Sequence, residues 1–513
     1  MDGPAILLLV LLTSSLAGLE AAQAPCNAGD AQALLEFKAD FLPSDYFSTW
    51  LPGVDCRNYS GVSVNPAGRV DGITIQLPGP PEPLIEPNKS RPGVTGESLG
   101  KLTALNTLHF GGVQFLGPIP GSWNNLRHLG ELTLIGCNFT GPIPVFIGEL
   151  SNLTTIFIVF GELSGAIPYS ICKLTKLTQF HIEFQFLTGQ IPQCIYKLTG
   201  LTDLTIQNNF LSGSIPRRIG ELTQLVDLAF SNNHLTGSLP PSLGNLKLLQ
   251  VLFLDNNMLS GSIPKEIGGM SSISSFSLFN NKLSGVLPSE LGNLNTMGFF
   301  SASNNFLTRS IPASLATLPT LNFIDLSYNK LTGSIPPFGI KYIYPTTVFV
   351  DLSFNDLSGL IPSYFGKTLG KLDISFNNFR GAIPLAFFES YPSLDILNIS
   401  NNPLSTKLPN STYSLSQNSS IASLDLHNCT LYGYIPDSFL ARLPLLNTLD
   451  MSHNYLLGNI PSTIADLTVL SYLDLSHNKL FGRVPQSLFD MINNFFYLNL
   501  SFNYFTGPVP SVA

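Results

Sequence analysis

Hydrophobic and polar positions follow one another in a long unit that repeats along the chain. Residues 321–336 show it most clearly, as LNFIDLSYNKLTGSIP, which is Leu-x-x-Leu-x-Leu-x-x-Asn-x-Leu followed by x-Gly-x-Ile-Pro. The alternation around Ile324 and Leu326 predicts a short strand whose apolar side chains share one face. Gly333 and Pro336 predict that a turn ends the unit.

The closing proline recurs at a nearly fixed interval. It appears every 24 residues at Pro120, Pro144, Pro168, Pro192, Pro216, Pro240, Pro264, Pro288, Pro312 and Pro336. It continues, with slips of up to three residues, at Pro362, Pro384, Pro409, Pro436, Pro461, Pro485 and Pro510. These are seventeen repeats, and an eighteenth, degenerate one begins at Ile73 and carries a proline-rich insertion over residues 78–92. Such a period indicates stacked supersecondary units.

One repeat cannot bury its apolar face alone, so we predict an α/β solenoid of 17–18 repeats with a parallel sheet on its concave side. A polar ladder position lies seven residues before most of the prolines and should satisfy buried backbone groups. It is asparagine at Asn209, Asn233, Asn257, Asn281, Asn305, Asn329, Asn355, Asn377, Asn402, Asn454, Asn478 and Asn503. Cys137 and Cys429 occupy the same position, and we expect both to be reduced and buried.

The first residues predict export. An apolar run over residues 5–12 precedes small residues, which is typical of a signal peptide, so we assign residues 1–24 to it. We assign residues 25–68 to an N-terminal cap, 69–101 to the degenerate first repeat and 102–513 to regular repeats without a C-terminal cap. No later run is long enough for a transmembrane helix.

The motif Leu-x-Gly-x-Ile-Pro, together with Cys26, Trp50 and Cys56 in the predicted cap, resembles the plant-type extracellular leucine-rich-repeat family. The resemblance implies a right-handed superhelix and a disulfide between Cys26 and Cys56. Arg57 and Val64 stand where the family has a second cap disulfide. Separately, Cys172 and Cys194 lie in adjacent repeats, at positions that normally point outward, and form either a disulfide or two free thiols.

Low charge makes glycosylation relevant to solubility. Only 11% of the residues are charged, with a net charge of −8, against about a quarter in a typical soluble domain. Asn-X-Ser/Thr sequences predict glycans at Asn58, Asn88, Asn138, Asn152, Asn410, Asn418 and Asn428. The same sequences at Asn398 and Asn499 fall inside predicted strands, so we do not expect them to be used.

No catalytic pattern appears, so we expect neither an enzyme nor a cofactor. His427, His453 and His477 lie near Asp425, Asp450 and Asp474 and suggest a metal site or a pH sensor. Both residue types are also ordinary at these turns, and we assign no metal. The negative charge and the absence of basic runs argue against nucleic acid as a partner.

Departures from the usual outward strand residues indicate where a partner binds. The later repeats mostly carry Asp and Ser there, whereas the earlier ones carry aromatic and acidic residues, as an interaction surface does. We predict that a protein or peptide contacts Phe157, Val159, His181, Glu183, Asp203, Gln207, Phe253 and Asp255. Phe160 and Phe184 precede positions where the ladder asparagine is absent, so they either bind too or fold inward to fill its space.

Two functions fit this surface. Residues 157–168, FIVFGELSGAIP, resemble those of polygalacturonase-inhibiting proteins and their DNA-damage-toleration-like relatives. That resemblance implies a secreted cell-wall or defence protein with a basic wall enzyme as partner. The number of repeats is more similar to the plasma-membrane ectodomain of a receptor kinase or receptor-like protein. The absence of a polar final coil predicts that the chain continues or that a partner covers that end.

Overall fold

A computed structural model describes residues 24–40, 45–77, 94–338, 347–366, 368–410 and 419–508. The predicted signal peptide, except Ala24, and the proline-rich insertion over residues 78–92 lie outside the described residues. None of the helices in the described part of the chain is long and apolar enough to cross a bilayer.

The alternating leucines form one continuous sheet of nineteen strands within the described residues. Val62–Val64 pairs antiparallel with Val70–Gln76, and the other strands run parallel in chain order. Eighteen parallel strands therefore confirm the predicted seventeen repeats and the degenerate one. The parallel strands are Val70–Gln76, Thr107–Gly111, Glu131–Ile135, Thr155–Val159, Gln179–Glu183, Asp203–Thr205, Asp227–Ala229, Val251–Phe253, Ser275–Ser277, Phe299–Ser301, Phe323–Asp325, Val348–Asp351, Leu369–Asp373, Ile396–Asn398, Ser423–Asp425, Thr448–Asp450, Tyr472–Asp474 and Tyr497–Asn499.

The register places equivalent residues of successive repeats side by side. Leu204 pairs with Leu228, and Leu228 pairs with Leu252. All three side chains are fully buried, and burying one leucine stabilises the fold by about 2 kcal/mol. Each coil thus completes the core of its neighbours, which is why the repeats form one elongated domain.

The ladder asparagines satisfy the backbone where each strand ends. Asn233 donates from Nδ2 to the carbonyl oxygens of Ile206 and Phe230, at 2.8 and 3.2 Å, and accepts from the Leu211 N–H at 2.9 Å. Cys137 takes the same place, with Sγ 3.5 Å from the Phe110 carbonyl oxygen. The predicted role of this position is confirmed.

A second set of short strands, which the sequence analysis did not predict, runs along the side of the solenoid. They are Thr140–Pro142, Glu162–Ala166, Phe186–Thr188, Ser212–Ser214, His234–Thr236, Ser260–Ser262, Lys282–Val286, Phe306–Arg309, Lys330–Gly333, Asp356–Gly359, Asn378–Phe379, Tyr432–Tyr434, Tyr455–Gly458, Lys479–Gly482 and Tyr504–Phe505. The segment before each Ile-Pro is extended, so its amides reach the coil before: the Phe210 N–H donates to the Leu187 carbonyl at 2.8 Å. The proline that closes each repeat lies after these strands, so it does not prevent them from pairing.

On the other side, most of the described coils have short helical turns. Most of these turns are 3₁₀ helices: Glu97–Lys101, Gly121–Asn125, Val145–Glu149, Tyr169–Lys173, Gln193–Lys197, Ile219–Glu221, Pro241–Asn245, Lys265–Gly269, Ser289–Asn293, Ser462–Asp466 and Ile492–Asn494. Short α-helices replace them at Ala313–Ala316, Ala386–Glu389, Asp437–Leu440 and Gln486–Asp490. These turns need more width per coil than the strands, which lie about 4.8 Å apart, so their side of the solenoid is convex.

The N-terminal cap closes the first coil. It contains the helix Ala28–Ala39 and the 3₁₀ turns Asp45–Phe47 and Cys56–Asn58. Asp30 is buried and pairs with Arg69 at 2.8 and 3.1 Å. The Cys26–Cys56 disulfide is present, as the family resemblance implied.

Candidate partner-binding surface

Four columns of side chains line the concave face. The first three come from the outward strand positions, for example Asp203, Thr205 and Gln207. The fourth comes from the residue before the ladder position, which has positive φ in most coils. That residue is asparagine in seven coils and aromatic or histidine in most of the others. Because the sheet is parallel and in register, neighbours within a column lie about 4.8 Å apart.

The structure brings most of the predicted binding residues together on adjacent strands. Phe157 pairs with His181, and their rings are 5.2 Å apart. Val159 pairs with Glu183, and Asp203 follows in the next strand. Phe253 lies two strands beyond Asp203 in the second column. The predicted set is therefore one continuous area, with Phe253 at its far edge.

Two of the predicted residues lie in the floor of this area. Val159 is 7% exposed and Asp255 is 8% exposed. Asp255 accepts hydrogen bonds from the Ser231 hydroxyl at 2.8 Å and from the Asn256 amide at 3.0 Å. These two side chains position their neighbours and offer little surface of their own.

A polar network fixes the middle of the area. Gln207 Nε2 donates to Glu183 Oε2 at 2.7 Å, and His181 Nδ1 lies 3.6 Å from Glu183 Oε1. Burial raises the pKa of Asp227, and the Asp203 carboxylate raises it further, while His181 opposes the shift. The carboxylates are thus held close together, and a cationic partner would relieve their repulsion.

Phe160 and Phe184 point outward, so the hypothesis that they fold inward is wrong. They are 40% and 42% exposed, and their rings stack at 4.6 Å. The ladder space is filled instead by Gln185, whose longer side chain accepts from the Leu163 N–H at 3.0 Å and donates to the Glu183 carbonyl at 3.1 Å. No asparagine is needed in that coil.

Sequence analysis missed the aromatic edge of this area. Phe186 and Phe210 directly follow the ladder positions of successive coils, and their exposed rings are parallel at 6.1 Å. His234 continues the row, 5.8 Å from Phe210. Aromatic residues at one slot of successive repeats were the available indication.

A second set of exposed aromatic residues was also missed, farther along the concave face. Tyr328, Phe354 and Phe376 stack in the fourth column, with ring centroids 4.1 Å apart at each step. Phe299 and Phe323 stack at 4.6 Å in the first column. The later repeats are therefore less uniform than their Asp and Ser residues suggested.

The four cysteines outside the N-terminal cap comprise one disulfide and two free thiols. Cys172 and Cys194 form a disulfide between adjacent coils, which decides between the two alternatives. Cys137 and Cys429 are free and buried, as predicted. Burial raises the pKa of each of these two thiols to about 12, so both stay protonated.

The late histidines stack and do not converge. His453 and His477 have ring centroids 4.1 Å apart at an angle of 15°, and His427 lies 5.0 Å from His453. Burial lowers the pKa of His453, and its two histidine neighbours lower it further. Within the described residues, the one cluster with metal-ligand spacing is Cys26, Asp55 and Cys56, and the disulfide occupies both of its sulfur atoms.

The predicted glycosylation sites differ in exposure. Asn58, Asn410 and Asn428 are exposed, and Asn138 and Asn152 are half-buried. Asn88 and Asn418 lie outside the described residues. Asn398 and Asn499 are in main-sheet strands, as expected, and both donate to aspartates.

Comparisons with known proteins agree with this architecture. A family model described as Leucine rich repeat matches residues 419–480, and a second of the same description matches residues 224–246, 248–270, 272–294, 320–339, 347–368 and 393–415. Polygalacturonase inhibitor 2 of Phaseolus vulgaris is 33% identical over 119 residues, which are 22% of this chain. The match spans only 31% of the inhibitor.

Solved structures match over a larger part of the chain. The plant peptide hormone receptor RGFR1 in complex with RGF2 is 30% identical, with a TM-score of 0.69, over 80% of this chain and 69% of the receptor. The Arabidopsis receptor kinase HAESA, in complex with the peptide hormone IDA and the co-receptor SERK1, is 28% identical with a TM-score of 0.67. That match covers 94% of this chain and 87% of the receptor.

Proposed function

The chain belongs to the plant-type extracellular leucine-rich-repeat family, and the similar receptors RGFR1 and HAESA were solved with peptide hormones bound. We propose that this chain is likewise an extracellular, non-catalytic protein that binds a protein partner on its early coils. We name this site the early-coil surface. It consists of Phe157, His181, Glu183, Asp203, Gln207 and Phe253, with the rim Phe160, Phe184, Phe186 and Phe210. The observation that carries the proposal is the exposed aromatic rim beside a fixed acidic network.

Exposed phenylalanines are unfavourable in an unoccupied surface. Phe160 and Phe184 stand at a slot that holds asparagine in seven other coils, so the fold itself does not require an aromatic ring there. Contiguous exposed apolar area marks interaction sites, and aromatic residues dominate the binding energy of protein interfaces. Partner contact accounts for these residues better than packing does.

The charge of the surface favours a basic partner. Glu183, Asp203 and Asp227 face the same area as His181, and the repulsion between Asp203 and Asp227 is relieved when a cation approaches. The relative from Phaseolus vulgaris is named as a polygalacturonase inhibitor. A basic polygalacturonase of the cell wall is therefore the first partner to test, in a defence role.

The alternative is a ligand-binding receptor ectodomain. The observation that favours it is the similarity to peptide-hormone receptors over most of the chain. In that case a secreted peptide would be the ligand at the same surface. The two functions differ in the partner, and the first experiment separates them.

The experiment measures binding of the full chain, by surface plasmon resonance, to a panel of basic polygalacturonases and of secreted plant peptides. The double variant F157A/F253A tests the second column, and F160N/F184N tests the rim without disturbing a slot that accepts asparagine. The matched control is H453N/H477N, the same change to asparagine at the same slot in late coils. We expect the first two variants to weaken binding at least about tenfold and the control to bind like the wild type.

Melting temperatures separate binding from folding. The early-coil proposal requires that F157A/F253A melt like the wild type. A lower melting temperature would assign these rings to the core. Binding of peptides without binding of any polygalacturonase would reject the inhibitor and favour the receptor.

A further inference from the structure

A second concave area, which begins six strands beyond Phe157 and two strands beyond Phe253, has two parallel rows of aromatic rings. The first column carries Phe299, Phe323 and Phe349 on consecutive strands. The fourth column carries Tyr328, Phe354 and Phe376. We call these rows the paired aromatic columns. Tyr328, Phe349 and Phe376 are 53%, 41% and 44% exposed, although the fold accepts asparagine in the fourth column elsewhere.

The rings of the fourth column stack on one another, which leaves their edges exposed. Tyr328, Phe354 and Phe376 stack with interplanar angles of 10° and 13°, so each ring covers the face of the next. Sugars and cations bind to aromatic faces, and within the stack those faces are occupied. The columns therefore act as apolar walls that pack against a ligand, and recognition of its charge must come from elsewhere.

Carboxylates line the strip between the walls. Asp325, Asp351 and Asp373 pair in register on consecutive strands. In each case Oδ1 accepts from the hydroxyl of the serine two residues later, at 2.7 Å, which fixes the carboxylate. Neighbouring charges thus stand in a row about 10 Å long.

The chain itself shows how a cation sits in this strip. Lys371 follows Phe349 in the first column, and its Nζ lies 3.5 Å from Asp351 Oδ2. Among the ion pairs of the described residues, none involves Asp325 or Asp373. Three carboxylates thus share one ammonium, and the strip keeps an excess of negative charge between apolar walls.

We propose that the strip between the paired aromatic columns docks an extended segment of a protein partner that carries basic side chains at alternate positions. Side chains on one face of an extended segment are about 6.6 to 7 Å apart. Two of them therefore fit along the three carboxylates, while the rest of the segment contacts the ring edges of the walls. This site is separate from the early-coil surface and does not depend on it.

Glycosylation sequences distinguish the paired aromatic columns from the later part of the concave face, which also carries aspartates and aromatic rings. The concave columns from Thr107 to Phe376 contain no Asn-X-Ser/Thr sequence, whereas those beyond contain Asn398, Asn428 and Asn499. The late aspartates, histidines and tyrosines lie in this later part of the concave face. A glycan on Asn428, whose side chain is exposed in the fourth column, would limit access there. The paired aromatic columns have no such obstacle.

The test selects random decapeptides displayed on phage against the full chain, then measures their affinity by fluorescence anisotropy. The variant Y328N/F354N/F376N removes one wall by introducing the asparagine that other coils carry at that slot. The variant D325N/D351N/D373N removes the charge, and Asn398 already occupies the same column. Matched controls are H453N/H477N and D450N/D474N, which make the same changes in the late coils.

We expect selected peptides to carry Arg or Lys at positions i and i+2. Each triple variant should weaken their binding at least about tenfold, and each control should bind like the wild type with an unchanged melting temperature. The proposal is overturned if no peptide is enriched, if basic residues recur at i and i+4 as on a helix, or if the controls lose binding equally. Peptides that depend on Phe157 and His181 alone would support the early-coil surface and overturn the second site.

Discussion

The asparagine ladder can be tested at Asn257. Its Oδ1 accepts from the Leu235 N–H at 2.9 Å, and its Nδ2 donates to the carbonyl oxygens of Phe230 and Leu254 at 3.0 and 3.2 Å. The side chain is 8% exposed, so water cannot readily replace it. N257A therefore leaves the Leu235 N–H buried and unpaired.

The expected loss follows from these contacts. An unsatisfied buried donor costs about 1–3 kcal/mol. Phe230 keeps a second donor, Asn233 Nδ2 at 3.2 Å, so its carbonyl adds less. We expect local stability to fall by about 2 kcal/mol, which corresponds to roughly thirtyfold faster amide exchange at Leu235.

Hydrogen exchange measured by mass spectrometry, on peptides that cover residues 230–260, reports this change directly. The matched control is N503A, because Asn503 makes the same contacts with Leu480 and Leu475 in the last described coil but is partly exposed. Water can reach that coil, so the change at Leu480 should be smaller. Unchanged protection at Leu235 in N257A, or an equal loss in both variants, would refute the assigned role of the ladder.

Three further predictions concern stability and reactivity. C172S/C194S removes a disulfide between residues 22 positions apart and should lower the free energy of unfolding by about 3 kcal/mol; an unchanged urea midpoint would contradict this. D351N should raise the melting temperature at about pH 7 and lose that advantage near pH 3. Burial and the neighbouring aspartates raise the pKa of Asp351 above its value in the unfolded chain. The ionised carboxylate therefore destabilises the fold at neutral pH, and this cost disappears once the pH falls below that pKa. The exposed D356N is its control, and an advantage that persists at low pH would contradict the assignment. Cys137 and Cys429, whose pKa values are raised to about 12, should react with iodoacetamide at about pH 8 only after unfolding, and labelling of the native protein, read by peptide mass, would contradict their burial.

The main sheet was predictable because its determinants are local and repeated. The 24-residue spacing of the prolines fixes the length of each coil, so pairing of Leu204 with Leu228 follows from the period. The side strands were not predictable in this way. Their pairing depends on how close one coil lies to the next, as between Phe210 and Leu187.

The candidate sites were only partly predictable, because side-chain direction depends on the backbone at one slot. Phe160 and Phe184 have φ of 58° and 53°, which turns them outward, and no alternation rule covers that conformation. Tyr328, Phe354 and Phe376 follow serine and precede the ladder asparagine, so each looks like an ordinary turn residue. They become a feature only when three consecutive coils stack them.

The spacing of the two surfaces determines what can occupy both. Phe157 and Asp325 lie seven strands apart in the main sheet, which is about 34 Å along the sheet. An extended decapeptide spans about 33 Å at most, so it cannot fill the strip at Asp325–Asp373 and also reach Phe157. A decapeptide bound at the strip should therefore be insensitive to F157A, whereas Phe253, three strands from Asp325, lies within its reach. A partner that is sensitive to both F157A and Y328N/F354N/F376N must be a folded protein or a longer segment, and its loss of affinity in the combined variant should equal the sum of the two separate free-energy losses.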